Sequence, residues 1–123
     1  MTVLMETRHP AEFILSEANG QRSREAITIA SGAGIIAAGT VLGKITASGK
    51  FVASAAGATD GSEVPAAIAI YGADASSADS SVSAIVRDAE VNGNCLTYHA
   101  DRDQPAEKVA ANTALATLGV IVR

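Results

Sequence analysis

GTVLGKITASGKFVA, Gly39 to Ala53, is the stretch that decides how this chain is read. Two apolar runs, Thr40 to Ile45 and Phe51 to Ala53, flank the polar segment TASGK. Val41, Gly43 and Ile45 alternate with Thr40, Leu42 and Lys44, and this period of two predicts a strand with one buried face. Ser48-Gly49 supplies the reversal, because glycine reaches positive φ without steric cost. The stretch is expected to fold as a β-hairpin, with further short strands packed on it.

Upstream, Arg24 to Ala30 alternates again, with Ile27 and Ile29 on one face and Thr28 on the other. Glu12 to Leu15 reads as a short edge strand with Phe13 and Leu15 on one side, followed by a reversal at Asn19-Gly20. Met1 to Pro10 has no sustained period, and Pro10 interrupts either a helix or a central strand. Residues 1–11 are therefore read as a flexible arm and 12–123 as a single β-rich domain. Downstream, Asp60-Gly61 marks a tight turn in a surface loop, and Ala66 to Tyr71 and Val82 to Arg87 are the next strands. The serine-rich Gly72 to Ser81 reads as a mobile loop. Asp88 to Gly93 reads as a turn, after which Leu96 to His99 pairs back onto the sheet.

One helix is expected, opening near Pro105, whose missing N–H costs nothing in a first turn. Asp101, Asp103 or Gln104 caps it, aspartate being the better cap chemically. Ala111, Ala114, Leu115 and Leu118 follow the spacing of one buried helical face. Gly119 stops the helix in a left-handed conformation, and Val120 to Arg123 closes the chain as a strand. The fold class is mainly β with one late α-helix. Leu42, Ile45, Leu115 and Leu118 are the candidate core or oligomer contacts.

The 123 residues suffice for one domain. The residues are 48% hydrophobic, but much of that is alanine, only 3% are aromatic, and there is no Trp. Alanine removes little area from water, and stabilisation scales at roughly 25 cal/mol per Å². Stability is thus expected to come partly from subunit contacts. The net charge is −4, and lysines and arginines are scattered singly along the chain. Nucleic acid is excluded as a partner on that ground, since binding it takes clustered cations and stacking aromatics. The single Cys95 excludes an internal disulfide and reads as an idle thiol. No apolar run reaches the length of a membrane span, and the charged start is not a signal peptide. A protein made in the cytoplasm, with no membrane partner, is expected.

Candidate chemistry is sparse. Gly32 to Gly39, GAGIIAAG, is not a dinucleotide loop, and no lysine sits in a phosphate-cradling motif. His99, Asp101, Asp103 and Cys95 are close in sequence but lack the spacing of a metal site. Asp88 and Glu90 would share one face of an extended segment about 7 Å apart, yet Arg87 stands beside them as a salt-bridge partner. No serine lies in a nucleophile elbow. No catalytic residue, cofactor site or metal site is assigned. A structural or interaction module is favoured over the alternatives. One of these is a small β-barrel or β-clip enzyme using Asp88 and Glu90 at a subunit interface; the other is a generic oligomeric binding module.

One resemblance ties these pieces together. GTVLGKITASGKFV (39–52), TDG (59–61), AAIAIY (66–71), IVRDAEV (85–91) and LATLGVIVR (115–123) occur in an order and spacing that resemble the bacteriophage head decoration protein D family, the lambda-type capsid-stabilising proteins. The resemblance implies a β-clip-like fold without catalytic residues or cofactors. It also implies homotrimers on the outer surface of the virion, at three-fold positions of the expanded head. There they would clamp the major capsid protein against internal DNA pressure. It further implies an N-terminal arm that engages the coat, with Thr2, Val3, Leu4 and Met5 as the capsid-binding candidates. This arm differs from the lambda protein's own start.

Overall fold

The computed structural model describes residues 6–123. Along these residues run strands β1 (Ile14–Glu17), β2 (Arg24–Ile29), β3 (Gly34–Ile36), β4 (Val41–Lys44) and β5 (Phe51–Ala53). They are followed by β6 (Pro65–Ala69), β7 (Ala73–Ala75), β8 (Ser80–Ile85) and β9 (Ala89–Val91). A 3₁₀ turn at Gly93–Cys95, helix α1 (Pro105–Ala116) and strand β10 (Val120–Val122) complete the chain. The chain is mainly β with one late helix, as its sequence pattern predicts.

The Gly39–Ala53 stretch is a hairpin, with Leu42 opposite Ala53 and Lys44 opposite Phe51. Gly49 turns it at φ 73°, and the amide of Ile45 closes it on the carbonyl of Lys50 at 2.8 Å. This hairpin supplies two strands of a closed five-stranded barrel, ordered β2-β5-β4-β6-β8, with β8 pairing back to β2. All contacts around the barrel are antiparallel except β2 with β5.

The expectation of one buried face on β4 is corrected. Val41, Leu42 and Gly43 are all buried, because the strand lies between two separate cores. One core gathers Ile27, Ile29, Leu42, Phe51, Ala67, Ala69, Val82 and Ala84, the alternate residues on the inner side of the barrel. The other gathers Val41, Ile68, Ile70 and Ile85 from the outer side, against Phe13, Val91, Leu115 and Val120. A five-stranded barrel has a narrow interior, and Ala67, Ala69 and Ala84 fit where larger side chains would overpack it. The small residues at these three inward positions are explained in this way.

The outer core is covered by α1 and by a three-stranded sheet ordered β1-β9-β10. Residues read as a turn at 88–93 thus contain β9, the central strand of this sheet. It is antiparallel to β1 and parallel to β10. The serine-rich 72–81 segment is likewise ordered: β7 pairs with β3, and β8 begins at Ser80. Phe13 and Leu15 do not share a side. Phe13 is fully buried, whereas Leu15 is exposed, at a register shift between Ile14 and Ser16.

Helix α1 has Pro105 in its first turn, as expected, but its cap is Gln104, which makes no side-chain capping bond. Asp101, the chemically better cap, is engaged elsewhere: its carboxylate accepts from the amides of Ala56 and Gly57 at 3.0 and 3.1 Å. The helix buries Ala111 and Leu115. It ends at Ala116, so Leu118 falls beyond its last turn and is 37% exposed. Gly119 then adopts φ 83°.

Candidate functional site

Asp88 and Glu90, the carboxylates singled out in the sequence, have separate partners. Asp88 sits between β8 and β9 at φ 49°, a left-handed position that aspartate tolerates better than most residues. Its carboxylate lies 3.6 Å from Arg22. Glu90 points outward from β9, accepting from Arg123 at 2.8 Å and Ser16 at 3.1 Å. These two bonds hold its carboxyl below the usual glutamate range, that from Arg123 being the stronger cause. Arg87, the partner expected for the pair, instead reaches Glu25 at 2.9 Å and the carbonyl of Arg22 at 2.7 Å. The arrangement is a set of exposed ion pairs that fix strand edges.

His99 Nδ1 lies 3.0 Å from Asp101. The Asp101 carboxyl is held below its ordinary value mainly by the Gly57 and Ala56 amides, so it serves to pin the 56–57 loop. Among the described residues no three His, Cys, Asp or Glu side chains converge as a metal site. Cys95 packs half-buried against the outer core.

Of the candidate core and contact residues, Leu42 and Leu115 are fully buried, Ile45 is half-buried and Leu118 is exposed. Thr2, Val3, Leu4 and Met5 lie outside the described residues. The chain that follows them is tied to the body. Arg8 donates to the carbonyl of Asn94 at 3.1 Å, and the amide of Ala11 donates to Ile70 at 3.1 Å.

Two features escaped sequence reasoning. Arg102 is buried, 4% exposed, and among the described residues its side-chain hydrogen bonds all go to neutral oxygens. It donates to the carbonyls of Ser54 at 2.8 Å, Glu63 at 2.7 Å and Glu107 at 3.1 Å, joining the 54–63 loop to the base of α1. The second feature is a pair of adjoining hollows of about 550 and 350 Å³ that share Arg8, Leu96, Tyr98 and Lys108. Arg123 lines the larger hollow. The cations that the sequence shows scattered, at positions 8, 108 and 123, are thereby brought together by the fold. Large apolar side chains are also exposed, Ile35 the most at 79%, with Leu15, Val64 and Val109.

A protein-family comparison decides what kind of molecule carries these surfaces. The model of the bacteriophage lambda head decoration protein D matches residues 3–120. The chain belongs to that family. The match spans nearly the whole chain and includes the buried residues of both cores and the helix, stopping short of Val122 and Arg123 in the larger hollow. A head decoration protein is a structural component of the virion and associates with the phage capsid. No curated protein matches the sequence.

Proposed function

We propose that this head decoration protein binds the outer surface of the expanded phage head as homotrimers at three-fold positions, where it clamps the major capsid protein against internal DNA pressure. The observation that carries this reading is the family match over residues 3–120. The physics supports it. A ligand that binds the expanded lattice and not the unexpanded one stabilises the expanded state by mass action. Three linked copies raise the effective concentration at each three-fold site, so modest contacts per subunit suffice. No catalytic role enters, and Asp88 and Glu90 act as structural charges.

Residues 1–11 are proposed to be the arm, its base held to the body through Arg8 and Ala11, and 12–123 the body. Thr2 to Met5 would extend along the coat, with Val3 and Met5 on one side and Leu4 on the other. Exposed Leu118 and half-buried Ile45 are the candidate subunit contacts among the residues first singled out. Synthesis in the host cytoplasm precedes assembly on the shell.

The test is co-sedimentation of the purified protein with undecorated expanded shells and with unexpanded shells. Saturable binding to expanded shells alone, at three copies per three-fold site, is expected. Equal binding to both, or none to the expanded form, would refute the proposal. Removal of residues 2–10 should weaken shell binding while leaving the folded body intact.

A further inference from the structure

The hollows at the foot of α1 have a composition unlike the rest of this acidic chain. The larger is lined by Arg8, Lys108 and Arg123, with Tyr98, Asn112 and Asn94 between them, and among the described residues no acidic side chain lines it. Lys108 Nζ lies 5.7 Å from the centre of the Tyr98 ring. Among the described residues it has no carboxylate within ion-pair distance. Arg8 and Arg123 are only partly neutralised, by Glu12 at 3.9 Å and Glu90 at 2.8 Å, and both pairs are exposed. Asp103 lines the smaller hollow, beside His99 and the buried Arg102.

The backbone adds a second element. In a parallel ladder, alternate residues give both N–H and C=O to the same neighbour. The Arg123 amide donates to Val91, and its carbonyl accepts from Gly93. The N–H and C=O of Val122, one residue back, therefore face away from β9. Among the described residues β10 is the edge of its sheet, and Val122 lines the larger hollow. The floor also includes Leu96. The site thus offers an apolar floor, a strand edge that no described residue pairs with, and cationic walls.

We infer that this groove receives an extended, carboxylate-bearing segment of a partner protein, laid beside Val122 with its acid groups on Lys108, Arg8 and Arg123. On the proposed function, on which this inference rests, that partner is the coat subunit. Arg8, which belongs to the proposed arm, lines both hollows, so arm and groove would engage the same partner. A nucleic acid is disfavoured as occupant. The chain carries net charge −4, and the one aromatic face here is covered by Lys108.

Two experiments test it. In the first, a blocked hexapeptide alternating valine and glutamate is titrated into the full-length protein and followed by amide resonances, beside the valine–glutamine peptide. Shifts at Gly93, Asn112 and Val122 with the glutamate peptide alone are expected. Shifts with both peptides, shifts with neither, or tighter binding of a single-stranded oligonucleotide would overturn the inference. In the second, Lys108→Glu is compared with Lys44→Glu, an equal charge change at an exposed residue on β4. Lys108→Glu should weaken binding to expanded shells about tenfold, since each of three subunits exchanges an attraction for a repulsion. Lys108→Arg and Lys44→Glu should bind like the parent, and an unaffected Lys108→Glu would count against the groove. Failure of the parent protein to bind shells refutes the capsid proposal instead, whereas the peptide titration judges the groove without shells.

Discussion

Leu115→Ala tests whether α1 is held to the barrel as described. Leu115 is fully buried, packed in the same cluster as Phe13, Val41, Ile68, Val91 and Val120. The helix has only one other fully buried residue, Ala111, so Leu115 supplies most of its apolar anchorage. Truncation removes three carbons, about 2.4 kcal/mol at roughly 0.8 kcal/mol per buried group. A cavity between α1 and the barrel's outer face adds to this, for a total of about 2–5 kcal/mol. In a domain of this size that corresponds to a fall in Tm of roughly 10 °C. Urea titration followed by circular dichroism should show a lower midpoint with an unchanged slope. Leu118→Ala, on the exposed residue past the helix end, is the control. It should cost under about 0.5 kcal/mol unless it lies between subunits. In that case its cost will grow with protein concentration. A Leu115→Ala loss below about 0.5 kcal/mol would refute the packing of α1.

Three further outcomes are expected. Gly43→Ala should destabilise by about 1–3 kcal/mol or abolish folding, because a Cβ there would overlap the backbone carbonyl of Ser62; a neutral effect in thermal melts would refute the approach of the 54–63 loop to β4. Asp88→Asn with Glu90→Gln should leave shell binding within a few fold, and hydrolase activity lost in that double variant would revive the enzyme alternative. Asp79, Glu90 and Asp101 have carboxyls held below their ordinary values by Lys50, by Arg123 and by the 56–57 amides respectively. Such groups contribute stability above the unfolded-state value and lose it as pH falls through the folded one. The urea midpoint should therefore be flat from pH 7 to about 5 and decline below about 4. A midpoint that rises over that acid range would contradict these pairings.

The hairpin at 39–53 was legible because β-branched alternation and a Ser-Gly turn point to the same structure. The closing strand was legible too, since Gly119 separates it from a helical pattern. What escaped has physical causes. Val41 and Leu42 enter different cores, so a period-two pattern gives no polar face to read. Strands β3, β7 and β9 have three residues each, too short for any period, and β7 lies among serines and aspartates that resemble loop. Asp101 is a good helix cap by chemistry, but two loop amides compete for it and win. Arg102 is one charge in the polar run ADRDQ, and only the fold shows its guanidinium buried among carbonyls. The cationic groove joins residues 8, 108 and 123 across the whole chain length, and no local pattern encodes that meeting.

The central claim, that this protein locks the expanded head, is tested most directly by scanning calorimetry of expanded shells with and without saturating protein. A ligand specific for the expanded lattice should raise the shell's melting temperature, with a further rise as free protein increases, by about 2.7 kcal/mol of stabilisation per site at a hundredfold excess over Kd. A shell melting temperature that is unchanged at every protein concentration would contradict the account.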